Sequence, residues 1–324
     1  MTDIHLLRVP TPFLVGRVNC YLIEDDPLTL VDTGPNSGTS LDSLERALAE
    51  HRVRIEDLER IVLTHQHMDH VGLLQVITRR SGAEVAAWAP LGRWLADYSA
   101  AAAADDEYAQ AVMARHGVPQ DLSIVLAAMS AAFRAYGSSG HVTHPLEPGD
   151  RLAFAGRALT VHHRPGHSPS DTVFFDEERQ LLIGGDHLLP HISSNPLIAR
   201  PLTCNTAGGR PKPLVDYIAS MRATREMPVE LVLPGHGEPV TDHAGLIDER
   251  LRMHERRAGK ILRLLAEAGE RQSAYDLAVR MWGNVAVSQA FLTLSEVLGH
   301  LDILLERGAV AEEDDGERSW FRAA

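Results

Sequence analysis

The sequence predicts an α/β layered core that carries a helical insertion and ends in a mostly helical C-terminal portion. Three observations carry that expectation. Short apolar runs with strand character alternate with segments of helical periodicity through residue 87. Strands return after residue 140, beyond an Ala-rich stretch with helical spacing. From about residue 241 onward the pattern is helical and closes on a short hairpin.

Taken in order, residues 6–9, 20–24 and 28–31 read as strands. A helix starting at Thr39 or Ser40 follows, with Leu41, Leu44, Ala47 and Leu48 at helical spacing. Ile61-Val62-Leu63 reads as a buried strand, residues 71–80 as a helix and 84–87 as another strand. Residues 88–140 form the insertion, with five alanines in a row from Ala100 to Ala104. Near its end Leu122, Val125, Leu126, Met129, Phe133 and Tyr136 fall at i, i+3, i+4, i+7, i+11 and i+14, one helix face, with Pro119 suited to the helix start. Strands follow over 151–154, 158–162, 172–175, 181–183 and 230–233, with Asp176-Glu177-Glu178-Arg179 as a polar turn. The 187–210 loop is rich in Pro, Gly, Ser and Asn, and long loops of this kind are often functional. Ile247, Leu251, His254, Ala258, Ile261, Leu262 and Leu265 outline an amphipathic helix. Helices over 275–281 and 290–306 and a hairpin over 310–321 complete the chain.

One short segment concentrates chemistry. His65-Gln66-His67-Met68-Asp69-His70 places three imidazoles and a carboxylate directly after a strand, which is what a zinc-type ion requires. Three further ligand-type residues stand where strands end, each beside glycine: Pro165-Gly166-His167, Gly184-Gly185-Asp186 and Pro234-Gly235-His236. Glycine lets the backbone turn sharply and approach an ion closely. Any one of the three fits an ordinary turn with a solvated or capped polar residue equally well. Together, and in this order after the histidine cluster, they point to a metal site.

The set His65, His67, Asp69, His70, His167, Asp186 and His236 resembles the metallo-β-lactamase superfamily. Val31-Asp32-Thr33-Gly34 matches the second-strand signature of that family, and the resemblance covers about the first 240 residues. It implies a four-layer αββα sandwich over 1–240, including the 88–140 insertion, with metals in a groove at one edge of the two sheets. By the same resemblance His65, His67 and His167 hold one metal, Asp69, His70 and His236 hold a second, and Asp186 bridges them. Asp32 fixes a ligand histidine from behind. The implied cofactors are two divalent metal ions per chain, Zn2+ first, with iron or manganese also suited to nitrogen and oxygen ligands. Activated water then attacks the substrate, Asp69 accepts the proton, and no covalent acyl-enzyme forms. Ser170 and Asp171 stand where many relatives carry glycine and histidine, and neither is a ligand position. The aspartate at residue 186 in place of cysteine, and the lack of an export signal, weigh against an antibiotic-degrading lactamase.

Residues 241–324, three helices and a hairpin, resemble a winged-helix module. Its third helix carries Glu296, Asp302 and Glu306 against Arg307, which would repel phosphate, so the module is expected to pack on the sandwich or mediate dimer contacts. The formal net charge of −13, without a basic face, likewise disfavours nucleic acid. No apolar run approaches the roughly 20 residues that span a bilayer, and no signal peptide is apparent at the N-terminus. A cytoplasmic protein is expected, with Cys20 and Cys204 as reduced thiols. Trp88, Trp94, Tyr98, Met113, Met129, Phe133 and Tyr136 of the insertion are candidate walls of an apolar pocket over the metals. His187, His191, Ser193, Ser194 and Asn195 are candidate substrate contacts, although His187 and His191 also suit a supporting or merely exposed position. The expected function is hydrolysis of a small acyl substrate: a thioester, ester or lactone. An endoribonuclease or other phosphodiesterase, or an iron-dependent sulfur dioxygenase, is the alternative on the same scaffold.

Overall fold

The computed structural model describes residues 4–203 and 209–324. The chain opens with strands β1 (Ile4–Val9), β2 (Val18–Ile23) and β3 (Thr29–Val31), then helix α1 (Gly38–Glu50), β4 (Arg60–Val62), α2 (Met68–Val71), α3 (Leu74–Ser81) and β5 (Glu84–Trp88). The insertion supplies α4 (Leu91–Ala96), α5 (Tyr98–Arg115) and α6 (Gln120–Phe133) before β6 (His144–Leu146) closes the first sheet in the order β1-β2-β3-β4-β5-β6. Strands β7 (Arg151–Ala153), β8 (Ala158–His163), β9 (Thr172–Asp176), β10 (Leu181–Gly185) and β11 (Leu231–Pro234) make the second sheet, with α7 (Pro213–Arg225) between its last two. The C-terminal portion holds α8 (His243–Ala268), α9 (Ala274–Trp282), α10 (Asn284–Ser288), α11 (Ala290–Glu306) and the hairpin β12 (Val310–Asp314) and β13 (Ser319–Ala323).

Strand alternation builds the layers. In β2, Cys20 and Leu22 turn toward Leu44 and Leu48 of α1 and Ile77 of α3. Tyr21 and Ile23, on the opposite face, join Val161, Phe174 and Ile183 of the second sheet. In β9 and β10, Val173, Phe175 and Leu182 face Leu214, Tyr217 and Met221 of α7. Three interfaces thus stack as helix on sheet, sheet on sheet and sheet on helix, the expected αββα sandwich.

Two local expectations change. Ser37, not a later residue, caps α1 by accepting from Ser40 N at 3.1 Å. The helix expected over 71–80 is interrupted at Gly72 and Leu73, because Leu73 N donates to Gly34 O at 3.0 Å instead of continuing the helix from α2. A Cβ at Gly72 would fall 2.2 Å from Tyr136 O, so the packing there requires glycine.

The C-terminal helices and hairpin appear at the expected places, with α10 in addition. Helix α11 differs in its setting: it is buried along most of its length, and Glu296 and Asp302 are internal rather than displayed, while Glu306 stays exposed beside Lys212. Glu296 meets Arg257 at 2.5 Å and Asp302 meets Arg210 at 2.6 Å. These two acids therefore face arginines of their own chain, not an open groove that could meet phosphate. The insertion docks here too, since Val112 and Met113 of α5 and the half-buried Leu122 and Leu126 of α6 pack with Ala274, Ala290 and Leu294. Helix α8 spans both regions, with Ile247 under the second sheet and Ile261 and Leu265 among the C-terminal helices. Cys20 is buried and free, while Cys204 lies outside the described residues. Among the described residues no helix is long and apolar enough to cross a membrane.

His116 ties insertion to C-terminal portion: it stacks near Phe321 at 6.1 Å, and its carbonyl accepts from Tyr275 N at 3.1 Å. Burial, then Arg210 and Arg115, pushes its imidazolium down to about 3 from an ordinary 6.5. The folded chain keeps His116 neutral, whereas the unfolded chain protonates it below pH 6.5. Its contribution is therefore intact above that pH and drains as pH falls toward 3, at up to about 1.4 kcal/mol per pH unit. His116→Phe keeps an aromatic ring and removes the titration. Urea unfolding compared at about pH 7 and pH 5 should show a smaller acid loss in the variant; equal losses would contradict the assignment.

Candidate metal centre

The ligand-type residues meet because strand ends meet. β3 and β4 run parallel, so Asp32, just past β3, lies beside Thr64, just past β4. β10 and β11 also run parallel, which brings Asp186 and His236 to one edge of the second sheet. His167 arrives in the β8–β9 connection, and Asp69 and His70 on α2. Two glycines permit the approach. A Cβ at Gly235 would fall 2.1 Å from Asp186 Oδ1, and one at Gly185 would fall 2.8 Å from the Thr64 side chain. The sequence signal of glycine beside Asp186 and His236 has this steric basis, while a Cβ at Gly166 would instead meet Tyr217 at 2.3 Å.

In the first group, His65 Nε2 and His167 Nε2 lie 3.0 and 2.9 Å from His67 Nδ1. The hydrogen-bond partners fix the protons. Thr64 Oγ1 donates to Asp32 Oδ2 at 2.7 Å, so it can only accept from His65 Nδ1 at 3.0 Å. His167 Nδ1 faces the Asn195 carbonyl at 3.3 Å and must donate. Both Nε2 atoms are therefore bare lone pairs aimed at a third nitrogen. Nitrogens bound to one tetrahedral ion at about 2.0–2.1 Å lie roughly 3.3 Å apart, close to this spacing.

In the second group, His70 Nδ1 donates to Asp32 Oδ2 at 2.8 Å and His236 Nδ1 donates to Arg17 O at 2.8 Å. Their Nε2 atoms point at the carboxylates of Asp69 and Asp186, buried and without a hydrogen-bond partner, as is Asp186 Oδ1. His236 Nε2 stands 3.4 Å from Asp69 Oδ2 and 3.5 Å from Asp186 Oδ2, while His70 Nε2 stands 3.5 Å from Asp186 Oδ1. These gaps are too long for good hydrogen bonds and suit ligands around a shared cation. Asp186 Oδ2 is also 3.5 Å from His167 Nε2, so this carboxylate reaches both groups.

Electrostatics separates the groups. Burial, then His70 and His67, holds the His65 imidazolium well below its usual value, and burial, then His167, takes His67 down to about 3. His65 and His67, which reject protons where their nitrogens converge, call for another cation. In the second group burial acts against charge as well, yet Asp186, Asp32 and Asp69 outweigh it and raise His70. Burial alone would also raise Asp186, but His236 and His70 hold it well below the carboxylate range. All seven sequence-predicted ligands and Asp32 thus converge, and their donor chemistry fits divalent metal.

The positions where the chain departs from the family pattern are structural. Ser168 N and Oγ both donate to Asp171 at 2.9 Å, shaping the loop that carries His167. Ser170 Oγ accepts from Gln66 N at 3.0 Å and bonds the Gln66 side chain, tying that loop to the histidine cluster. Neither Gln66 nor the carbonyls of Arg17 and Asn195 stand out by residue type as supports; a backbone acceptor leaves no sequence signature. Among the expected substrate contacts, His187 is fully buried with Nε2 on Thr224 Oγ1 at 2.9 Å, so contact with substrate is not available to it. Ser194 is buried and donates to the Asp186 carbonyl. His191 is exposed beside Gly237, and the Asn195 side chain bonds Leu292 O. Of the expected pocket walls, Trp94, Tyr98 and Met113 are core residues. Trp88 is largely buried too, stacked on His163 at 4.0 Å beside a cavity of about 510 Å³ behind the His167 loop. Met129 and Phe133 remain exposed, by 48% and 37%, and Tyr136 is half-buried.

A sequence model of the metallo-β-lactamase superfamily matches residues 14–236. YqjP of Bacillus subtilis (strain 168), described as a probable metallo-hydrolase, is 33% identical over 321 residues, covering 99% of this chain and 98% of that protein. The atrochrysone carboxyl ACP thioesterase of Aspergillus terreus is 23% identical over 326 residues, covering 95% and 81% respectively. Among solved structures, the metallo-β-lactamase family protein TTHA1429 from Thermus thermophilus aligns with a TM-score of 0.84 at 27% identity, over 100% of this chain and 99% of that one.

Both oxygens of Asp32 accept, from Thr64 N, Thr64 Oγ1 and His70 Nδ1. An amide there must turn its NH2 toward at least one donor. Asp32→Asn is expected to lower affinity for the metal near His70 by about 10–100-fold, measured by chelator competition. Wild-type affinity in a folded variant would contradict the supporting role.

Proposed function

The chain belongs to the metallo-β-lactamase superfamily, and from that premise we propose that it is a binuclear metal-dependent hydrolase of small acyl substrates, thioesters first. The observation that carries this reading is the pair of ligand-type clusters that both reach Asp186. His65, His67 and His167 would hold one divalent ion, Asp69, His70 and His236 the other, with zinc the first candidate and iron or manganese compatible with the donors. Ions held there supply polarisation of a carbonyl and acidification of water near neutral pH.

The chain's own residues do the rest. Asp69 stands with Oδ2 3.4 Å from His236 Nε2, and it would take the proton released when water attacks. This reading assigns the acyl part to exposed apolar side chains on elements that adjoin those carrying the centre. Leu14 is 94% exposed on the loop that ends at Arg17, whose carbonyl holds His236. Phe13, in the same loop, packs its ring 5.6 Å from Phe133 and 5.8 Å from Tyr136. With Met129 these groups leave apolar surface, which suits a substrate with an apolar acyl part. The thioesterase named among the relatives supports the choice of a thioester.

Purified protein assayed on acyl-CoA thioesters of several lengths, lactones, nitrocefin, a phosphodiester and RNA is expected to hydrolyse a thioester or lactone, to lose that activity with a chelator and to regain it with zinc. Leu14→Asp combined with Phe133→Asp should reduce kcat/KM for long acyl chains about tenfold or more and spare short ones, since each contact removed is worth about 1.5–3 kcal/mol when fully made. Turnover of RNA alone would overturn the substrate class. Loss independent of chain length would overturn the assignment of the acyl part to these side chains.

A further inference from the structure

We propose that Asn195 is a positioning residue through which the C-terminal helices hold His167 in place. The inference rests on His167 being a metal ligand, and it concerns what aims that ligand.

His65, His70 and His236 are aimed by groups of the sandwich or of the loop at its edge: Thr64, Asp32 and the Arg17 carbonyl. His167 is different. Its Nδ1 donates to the backbone carbonyl of Asn195, at 3.3 Å, in the loop that follows Asp186. That loop is fastened at three points. Ser194 Oγ donates to the Asp186 carbonyl. Asn195 Nδ2 donates to Leu292 O at 3.0 Å, in the first turn of α11. Ile198 N donates to Ser295 Oγ at 3.3 Å, one turn further along the same helix, and the Ile198 side chain is buried in the C-terminal core. Residues 194–198 therefore form a strap from the Asp186 backbone to α11, with the His167 acceptor in its middle.

The side chain and the carbonyl of Asn195 belong to one residue. Anchoring the amide on Leu292 fixes where the carbonyl points, and the carbonyl fixes both the tautomer and the rotation of the His167 ring. The C-terminal portion is thereby part of the metal centre's support, without contributing a ligand.

Three variants and two readouts test this on the full chain. Asn195→Ala removes the anchor. Asn195→Asp keeps the shape but presents an acceptor to the Leu292 carbonyl, so a packing role predicts rescue and a hydrogen-bonding role predicts none. Ser295→Ala loosens the strap from the α11 side without touching Asn195. In cobalt-loaded protein, both Asn195 variants are expected to show altered visible d–d bands and about 10–100-fold weaker retention of one ion against a chelator, with Ser295→Ala shifted in the same direction. The Tm of the metal-free proteins should stay near wild type. Wild-type spectra and retention in the variants would overturn the inference. So would a fall in metal-free Tm with an unchanged spectrum, or full rescue by Asn195→Asp. Should Asn195→Ala fail to fold, Ser295→Ala decides alone. Failure of wild-type protein to bind cobalt would instead remove the metal reading on which the inference stands.

Discussion

Each of four imidazoles in the centre is aimed by a hydrogen bond on the nitrogen that faces away from it. His65 leans on Thr64, His70 on Asp32, His167 on the Asn195 carbonyl and His236 on the Arg17 carbonyl. Each acceptor holds a proton on Nδ1 and turns Nε2 toward the centre. The rest of the site depends on that constraint. Without it the rings would rotate, Nε2 atoms would find water, and the buried carboxylate of Asp186 would lose the positive surroundings that keep it ionised. Asp32 carries most of this load, accepting three hydrogen bonds from a left-handed backbone conformation at φ 57°. That conformation is rare for a residue with a side chain, and the converging bonds hold it.

The sandwich supplies the acceptors because parallel strand ends deliver them at fixed offsets. β3 with β4, and β10 with β11, place Asp32 beside Thr64 and Asp186 beside His236. The glycines at residues 185 and 235 then let two sheets' worth of loops close to contact distance. This is why the site was legible in the sequence: ligand type, strand end and glycine recur together, and each has a local physical cause. The layered core was legible for a similar reason, since alternation in strands such as β2 and β9 shows directly in residue type.

What the sequence concealed is what depends on long-range contact. Nothing local distinguishes Trp94 and Tyr98, which are core, from Met129 and Phe133, which are exposed; all lie on apolar helical spacing. His187 adjoins a ligand in sequence yet turns into the interior toward Thr224. The acids of α11 read as a surface in sequence, whereas Arg257 and Arg210 lie against two of them. Backbone acceptors such as Arg17 O and Asn195 O have no residue-type signal at all. The break between α2 and α3 likewise comes from Gly34 and Tyr136, remote in sequence from Gly72.

The central claim is that two groups of ligands share Asp186 and hold two ions. Anomalous diffraction from a crystal of the metal-loaded protein, recorded across the absorption edge of the bound metal, measures this directly. The account predicts two peaks, one among His65, His67 and His167 and one among Asp69, His70 and His236, each within bonding distance of the Asp186 carboxylate. A single fully occupied peak in metal-saturated crystals, or two peaks of which only one touches Asp186, would contradict it.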